Sequence, residues 1–230
     1  ATIQEKLDQY KNERNQAQMR LSVLASQVEP HFLFNTLSGV RAAMLSDPAR
    51  GVAIIDHLVD YLRSTIPQMR SDGNLMLTSV ANQFDSVRAY LGVIHMRIPR
   101  LSFNVECPTE LLDCAVPPLM LISLVENAVK HGIEPKKGAV QITVRARKIK
   151  ASDQANAEQL CLSVEDNGVG FGHSNSGSGI GLSNIRERLK HLYAGDASLE
   201  LSMREEGGIE ARILLPISRY DEYSSEPNNK

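Results

Sequence analysis

The spacing of hydrophobic residues changes at Pro99, and this change divides the 230-residue chain into two kinds of structure. Before Pro99, apolar residues recur every three or four positions, as they do on one face of a helix. After it, short runs alternate between apolar and polar residues, as strands do, and the first such run spans residues 101–106. We therefore predict an α+β fold class, with a helical front part followed by a mixed domain.

A polar turn at residues 71–74 is the predicted domain boundary. Residues 1–74 would form the helical part and residues 75–217 the mixed domain. Residues 218–230 are polar and are predicted to be a disordered tail.

The front part begins with a narrow apolar stripe in which steps of four and three residues alternate. Such spacing is typical of a coiled coil, and the polar residues around it favour parallel pairing of two chains over a single amphipathic helix. Arg14 interrupts the stripe, whose other members are Ile3, Leu7, Tyr10, Ala17, Leu21, Leu24 and Val28.

Two further amphipathic helices follow the stripe. Asp47 followed by Pro48 is typical of a helix N-terminus, and the second helix is predicted to end before Pro67. Thr78 is predicted to cap a third helix that extends to Ile98. Two hairpins from two chains would form a four-helix bundle in a homodimer. The apolar faces comprise Leu33, Leu37, Val40 and Met44 in the first helix and Val52, Ile55, Val59, Leu62 and Ile66 in the second.

His31 lies directly after Pro30, and helical periodicity places it away from the apolar face of its helix. A proline within a helix bends the axis, so the coiled-coil stripe need not continue through His31. A histidine in such a helix is commonly a hydrogen-bonded structural residue, although a neutral imidazole is also a good nucleophile near neutral pH. This segment alone leaves both roles open.

Composition excludes several classes of protein. The formal net charge of −2 argues against a nucleic-acid-coating protein, so we predict no direct nucleic-acid partner. The three cysteines form no CxxC pair, which indicates neither a disulfide framework nor a zinc site. The longest apolar run contains two prolines and is shorter than the roughly 20 residues that span a bilayer. The chain begins at Ala1 within a helical pattern, so we expect it to be the cytoplasmic portion of a longer inner-membrane protein.

The first chemically informative segment of the second domain is an apolar helix predicted over residues 119–131. Glu126, Asn127, Lys130 and His131 interrupt it, and helical spacing places the last three on one face. An asparagine oxygen suits Mg²⁺, and a lysine suits a phosphate. The alternative is a helix end that simply becomes exposed at Gly132.

Two glycine-containing segments come later in the chain, the first directly after an apolar strand and the second directly before a helix. In the first, Asp166 at a strand end can accept a hydrogen bond from an exocyclic amine, and Gly168 and Gly170 let the backbone approach a flat ring. The second contains Gly177, Gly179, Gly181 and Leu182 and precedes a helix predicted from Ser183. Backbone N–H groups at a helix N-terminus can bind phosphate, while a flexible turn is the alternative.

The order of these segments is more specific than any one of them. An acid-amide helix, then Asp-x-Gly-x-Gly after a strand, then Gly-x-Gly-x-Gly before a helix, resembles the ATP-binding domain of histidine kinases, gyrase, Hsp90 and MutL over residues 119–216. In the front part, Pro-His-Phe-Leu-Phe-Asn at residues 30–35, Tyr-Leu-Arg at 61–63, Tyr-Leu at 90–91 and Arg97 are similar to LytS-type sensor histidine kinases of bacterial two-component systems.

The resemblance implies a Bergerat-type α/β sandwich that binds ATP and Mg²⁺. Asp166 would contact adenine, Asn127 would hold Mg²⁺, and Lys130 and His131 would lie near the phosphates. The glycines of both segments would contribute to nucleotide binding, and residues 171–178 would form a short mobile lid. These glycines are Gly168, Gly170, Gly177, Gly179 and Gly181, with Leu182 beside the last.

The resemblance also implies that His31 is the phosphoacceptor and that an aspartate of a response regulator, one with a LytTR-type DNA-binding domain, receives the phosphoryl group. Many histidine kinases have an acid directly after the phosphoacceptor, whereas this chain has Phe32 there. Glu29 and Glu126 are therefore the candidate general bases. The remaining histidines, His57, His95, His173 and His191, are predicted to have no chemical role.

Two alternative functions stay open at this point. The chain could be a dimeric signalling scaffold, or a phosphatase-biased regulator, that binds nucleotide weakly. It could instead be an ATPase of the gyrase or Hsp90 kind, in which Glu126 activates water.

Overall fold

The computed structural model describes residues 30–69, 77–150, 158–170 and 178–220. The chain divides into two compact units, Ala1–Asp56 and His57–Lys230. The predicted coiled-coil stripe and Glu29 lie outside the described residues. In the part that is described, no helix combines the length and the apolar character needed to cross a bilayer.

Helix α1 is Pro30–Ser46 and helix α2 is Pro48–Met69. The Asp47 side chain accepts a hydrogen bond from the backbone N–H of Arg50 at 3.2 Å, so the predicted start of α2 is confirmed. The predicted end before Pro67 is wrong, because α2 continues to Met69. A proline so close to the end removes a hydrogen bond from the last turn only, and the helix is not interrupted further back.

The apolar faces predicted for α1 and α2 are not the faces that the chain buries. Leu37 and Met44 are 56% and 47% exposed, and Val52 is 50% exposed. Periodicity therefore identified the helices, but the side of each that is buried within one chain is a different one. The buried side chains are Phe32, Thr36 and Ala43 in α1 and Ile54, Leu58, Tyr61 and Thr65 in α2.

A short strand precedes the first complete helix of the second unit. Strand β1 (Thr78–Ser79) is followed by helix α3 (Val80–Arg97). Ser79 caps α3 by accepting a hydrogen bond from the N–H of Asn82 at 3.2 Å, so the predicted cap at Thr78 is one residue too early. Both residues belong to β1, where Thr78 pairs with Val116 and Ser79 with Ala115, and the helix begins directly after Ser79.

A five-stranded mixed sheet forms the centre of this unit. Strand β2 is parallel to β4, and the other neighbouring pairs are antiparallel. The predicted α+β class is confirmed, and the basic run 145–150 continues β4 as a strand end. The strands, numbered along the chain, are β2 (Leu101–Glu106), β3 (Ala115–Val116, which pairs with β1 outside this sheet), β4 (Val140–Lys150), β5 (Glu158–Asp166), β6 (Ser198–Met203) and β7 (Ile209–Pro216), and the sheet order is β2-β4-β5-β7-β6.

The remaining helices differ from the predicted ones at their ends. A 3₁₀ helix, Thr109–Leu111, precedes β3. Helix α4 is Met120–Asn127 and a π-helix, Ala128–Ile133, follows at once, so the single α-helix predicted over residues 119–131 is wrong beyond Asn127. Helix α5 is Ser178–Tyr193 and begins five residues before the predicted start. Helices α3, α4 and α5 pack against β2, β5 and β6.

One face of the sheet, here called the inner face, is covered by these helices. Because side chains alternate along a strand, residues paired across strands form rows on this face. One row contains Val144, Val164, Ala211 and Leu201. Asp166 is two residues beyond Val164 and therefore also belongs to the inner face. A row on the opposite, outer face consists of Glu106, Arg145, Ser163, Arg212 and Glu200.

The first three residues of the predicted disordered tail, 218–220, are held by hydrogen bonds. The N–H of Ala115 donates to the carbonyl of Ser218 at 2.8 Å, and the N–H of Tyr220 donates to the carbonyl of Asp113 at 2.8 Å. These bonds attach residues 218–220 to the segment around β3. Residues 221–230 lie outside the described residues.

Gly168 is a position where the fold requires a residue without a side chain. A Cβ at Gly168 would overlap the backbone of Gly132 in the π-helix. We expect Gly168→Ala to lower the free energy of unfolding by roughly 1–3 kcal/mol, measured by urea denaturation. In the control, Gly181→Ala in α5, the new Cβ has no atom within 4 Å, and alanine favours helix, so stability should hold or rise. Equal urea midpoints for the two variants would contradict the close approach.

Candidate functional site

A cleft opens at the inner face of the sheet, between the sheet and the segments α4, π-helix and α5. Its volume, counted out to the mouth, is ≈ 560 Å³. Mostly apolar walls with a few polar groups are typical of a small-molecule site. Apolar side chains line most of it: Leu124, Ala128, Val164, Leu182, Leu201, Ile209 and Ala211; the other lining residues are Asn127, His131, Gly132, Asp166 and Gly170.

Asp166 supplies the carboxylate among these lining residues. It is only 3% exposed, and its Oδ1 accepts a hydrogen bond from the N–H of Gly168 at 2.7 Å. Burial raises the pKa of the Asp166 carboxyl, while the N–H groups of Gly168 and Ile209 and the charges of Arg204 and Lys136 act in the opposite direction. A buried carboxylate in an apolar cleft can recognise a ligand amine by accepting its hydrogen bond.

Glycines let the backbone close around Asp166. A Cβ at Gly132 would lie 2.8 Å from Asp166 Oδ1, and one at Gly208, whose φ is +89°, would overlap the Asp166 carbonyl. The N–H of Val169 donates to the carbonyl of Gly132 at 3.2 Å. Gly132 is buried, so the alternative of a helix end exposed at this residue is wrong.

Charged residues hold the segment after β5 from the outside. Arg204 donates from Nη1 to the Asp166 carbonyl at 2.9 Å, and Lys136 donates to the Asn167 carbonyl. On the outer face, Glu165 accepts from Arg145 at 2.8 Å. The two adjacent side chains therefore point to different faces: Asp166 lines the cleft, and Glu165 belongs to an outer-face ion-pair network that includes Arg204 at 3.8 Å.

The π-helix explains which polar residues of the first segment reach the cleft. Asn127 and His131 line it, whereas Lys130 is exposed and is absent from the lining. A π-helix closes its hydrogen bonds from residue i to i+5, as the N–H of Glu134 does to the carbonyl of Val129 at 2.9 Å. Each turn thus contains more residues than a turn of an α-helix. His131, four residues after Asn127, therefore lies on the same side as Asn127, whereas Lys130, three residues after it, points elsewhere. A role for Lys130 at a phosphate stays a prediction.

The glycine segments are only partly described. Gly168 is buried, and Gly170, with φ +73°, lines the cleft. Leu182 of α5 also lines it, while Gly181 is exposed in the same helix. Gly179 is described as helical backbone only. Gly177 lies outside the described residues, as does the predicted lid except Ser178, which begins α5.

Glu126 is joined to a side chain from another helix. The hydroxyl of Tyr61, in α2, donates to Glu126 Oε1 at 3.1 Å. Tyr61 is 1% exposed, and its ring lies 5.5 Å from that of Tyr90 in α3, centroid to centroid. Burial, followed by the charge of Glu126, raises the pKa of Tyr90, so this tyrosine is a neutral neighbour of the carboxylate. Glu126, which is half-buried, is thus part of a polar cluster beside Asn127.

His31 is the second residue of α1, and only its helical backbone is described. Nothing described tests Glu29 as a base. No group of three or more His, Cys, Asp or Glu side chains in the described ranges is arranged to hold a metal ion.

Sequence reasoning missed most of the apolar lining. Alternation within β6 and β7 places Leu201 and Ala211 on one face, but only the pairing of β7 with β5 brings that face beside Asp166. Sequence reasoning also interpreted Gly132 as no more than a helix end. The Tyr61 contact with Glu126 joins residues 65 positions apart, which no local pattern reveals.

Comparison with known proteins gives two family matches. Residues 19–101 match the family model described as histidine kinase. Residues 118–219 match the model described as histidine kinase-, DNA gyrase B-, and HSP90-like ATPase. The second match contains every residue that lines the cleft.

Three curated relatives extend the comparison. The sensor histidine kinase YesM of Bacillus subtilis is 31% identical over 202 residues, which is 85% of this chain and 33% of the relative. The sensor protein LytS of Staphylococcus saprophyticus is 28% identical over 219 residues, 90% of this chain and 35% of the relative. BtsS, a sensor histidine kinase of Escherichia coli, is 26% identical over 200 residues, 86% and 34% of the two chains.

The chain therefore spans about a third of the length of these relatives, and it does so with both domains of the kinase region. The cleft around Asp166 lies in the ATPase domain, and the helix that carries His31 lies in the other. On these matches the chain belongs to the histidine kinases, within the group that includes the LytS and YesM sensor proteins.

Proposed function

We propose that this chain is the kinase portion of a two-component sensor histidine kinase, which transfers the γ-phosphoryl group of ATP to His31 and then to an aspartate of a response regulator. The observation that carries the proposal is the buried Asp166 carboxylate in an apolar cleft of the ATPase domain. The presence of His31 in the region that matches histidine kinases supports the acceptor.

The cleft suits an adenine ring. Val164, Ala211 and Leu201 form an apolar floor, and Asp166 at its end would accept a hydrogen bond from the exocyclic amine. Gly132 and Gly168 keep the backbone close to that carboxylate, so a flat base can approach without meeting a side chain. A base with an amine at this edge should therefore be preferred, because the carbonyl oxygen of another base would meet the Asp166 carboxylate, which has no hydrogen to donate.

The polar residues of the π-helix region suit the phosphate end of the nucleotide. Asn127 lines the cleft and has an amide oxygen of the kind that Mg²⁺ accepts, so it would hold the ion together with phosphate oxygens. Mg²⁺ bound at this position would neutralise part of the negative charge of the phosphates. His131, Lys130 and the N-terminal glycines of α5 would donate hydrogen bonds to the phosphates.

The transfer step needs positioning more than covalent assistance from the protein. A neutral imidazole nitrogen of His31 forms a bond to the γ-phosphorus while the bond to the bridging oxygen breaks, ADP leaves, and the other ring nitrogen gives up its proton. Glu29 and Glu126 are the candidate general bases for that proton. The resulting phosphoramidate is labile enough to pass its phosphoryl group to an aspartate.

We also propose that the chain acts as a homodimer in which α1 and α2 of two copies form a four-helix bundle, extended by a coiled coil in the preceding residues. The exposed Leu37, Met44, Val52 and Ile55 support this, because such a row of apolar side chains is normally covered. We propose further that the response regulator carries a LytTR-type DNA-binding domain, as the resemblance of the front part to LytS-type kinases implies.

Asp166→Asn should weaken nucleotide affinity about 10–100-fold by calorimetry, because an amide has one acceptor oxygen and the N–H of Gly168 already occupies Oδ1. Glu165→Gln is the matched control, since Glu165 is the adjacent acid and pairs with Arg145 on the outer face. Its affinity should stay within about twofold of wild type. Equal losses in both variants would mean that net charge, and not the adenine contact, determines affinity.

His31→Gln should accept no label from ATP radiolabelled at the γ-phosphate, whereas wild type acquires an acid-labile label. His191→Gln, which changes an exposed histidine of α5, should be labelled like wild type. Undiminished label in His31→Gln would refute the acceptor assignment. Sustained ATP turnover by that variant would instead favour an ATPase of the gyrase kind, and nucleotide binding without label on wild type would favour a scaffold.

Replacement of Leu37 and Val52 together by glutamate should dissociate the dimer, as measured by sedimentation equilibrium, because burial of two carboxylates in an apolar interface is costly. The double variant Asn184→Glu/Ser198→Glu, on exposed positions of α5 and β6, adds the same two negative charges and should sediment as wild type does. A Leu37/Val52 variant that remains a tight dimer would place the interface elsewhere.

A further inference from the structure

We infer that Tyr61 is a positioning residue for the nucleotide site: its hydroxyl, from α2, fixes Glu126 and thereby sets Asn127 for binding of the metal-nucleotide complex. This inference rests on the proposed nucleotide function and assigns to the second helix a direct part in it. The juxtaposition is the 3.1 Å hydrogen bond from Tyr61 to Glu126 Oε1.

The position of Glu126 explains how this hydrogen bond acts on Asn127. Glu126 is the residue directly before Asn127, at the point where α4 changes into the π-helix. The i to i−4 pattern of hydrogen bonds ends with the N–H of Ala128, which bonds to the carbonyls of Leu124 and Val125, and the π-helix follows. Glu126 and Asn127 thus occupy the last regular turn, where a contact that fixes the Glu126 side chain also restricts the backbone that carries Asn127.

The other end of the π-helix is held in a similar way. Glu134 directly follows Ile133, the last residue of the π-helix, and its carboxylate forms an ion pair with Arg97 at the end of α3. Both flanking acids are thus bound by side chains from helices that precede the ATPase domain in sequence. Arg97 comes from α3, which packs against α4 and β2, whereas Tyr61 comes from α2, the helix that follows the helix carrying His31.

The adenine end of the cleft does not depend on this bond. Asp166 is held by Gly168, Arg204 and the close approach of Gly132, none of which contacts Tyr61 in the described residues. Loss of the Tyr61 hydroxyl should therefore change the metal-dependent part of nucleotide affinity and leave the metal-free part intact. A residue that merely stabilised the fold would lower both.

The test is calorimetry of the full chain with a non-hydrolysable ATP analogue, in excess Mg²⁺ and in chelator. Tyr61→Phe keeps the ring and its packing against Tyr90, and should weaken affinity in Mg²⁺ about tenfold, the lower end of losses for residues that orient a metal ligand. Affinity in chelator should change less than about twofold. Ser86→Ala, which removes another buried hydroxyl from the same helical layer, should change neither.

A second variant shows whether the two groups act through one bond. Glu126→Ala should lose as much metal-dependent affinity as Tyr61→Phe, and the double variant should lose no more than either. Additive losses, or equal losses with and without Mg²⁺, would overturn the inference. Failure of wild type to bind the analogue in either condition would refute the proposed function itself, so the two failures are distinguishable.

Coupling between two sites is reciprocal, which gives a readout that requires no affinity measurement. In wild type, the Mg²⁺-analogue complex should slow amide hydrogen exchange in peptides that cover residues 57–65 of α2. The analogue in chelator should not. Slowing that persists in Tyr61→Phe would show that the hydroxyl does not carry the coupling.

Discussion

The burial of one carboxylate, Asp166, is the constraint on which the second unit depends. A carboxyl group that is 3% exposed must receive hydrogen bonds from nearby donors, because an uncompensated buried charge is too costly. The N–H of Gly168 supplies one, and the side chain of Arg204 holds the carbonyl of the same residue. The absence of side chains at Gly132, Gly168 and Gly208 is what lets three separate segments approach this point.

The π-helix links Asp166 to the end of the cleft that is proposed to bind the phosphates. Its wider turn places Asn127 and His131 on one side, and it brings Gly132 against Asp166. An α-helix through the same residues would bring Lys130 closer to the face of Asn127. One irregular turn therefore connects the carboxylate proposed to recognise the base with the groups proposed to bind Mg²⁺ and phosphate, and its flanking acids connect it to α2 and α3.

Local patterns predicted the parts of this structure that depend on local physics. Strand β2 was predicted at both ends, because alternation of apolar and polar residues directly reports a half-buried strand. Asp166 and Gly168 were singled out because a carboxylate and glycines directly follow an apolar strand and because the order of three such segments is specific. The structure places Asp166 in the lining of the cleft and the N–H of Gly168 on its carboxylate. The π-helix, the lining contributed by Leu201 and Ala211, and the Tyr61 bond were missed, since each depends on residues that are distant in sequence. The faces of α1 and α2 were a different case: periodicity reports which residues are apolar, but not what covers them.

Side chains alternate along β5, so the neighbouring acids Glu165 and Asp166 lie on opposite faces of the sheet, and this limits how the site can change. A shift of β5 by one residue against β4 and β7 would send Asp166 to the solvent side and put Glu165, one methylene longer, on the inner face. Because β5 pairs on both edges, such a shift would have to break two ladders at once. The position of the carboxylate proposed to recognise the base is thus protected by strand pairing on both sides of β5, and a change of preferred base would proceed by side-chain replacement within a fixed register.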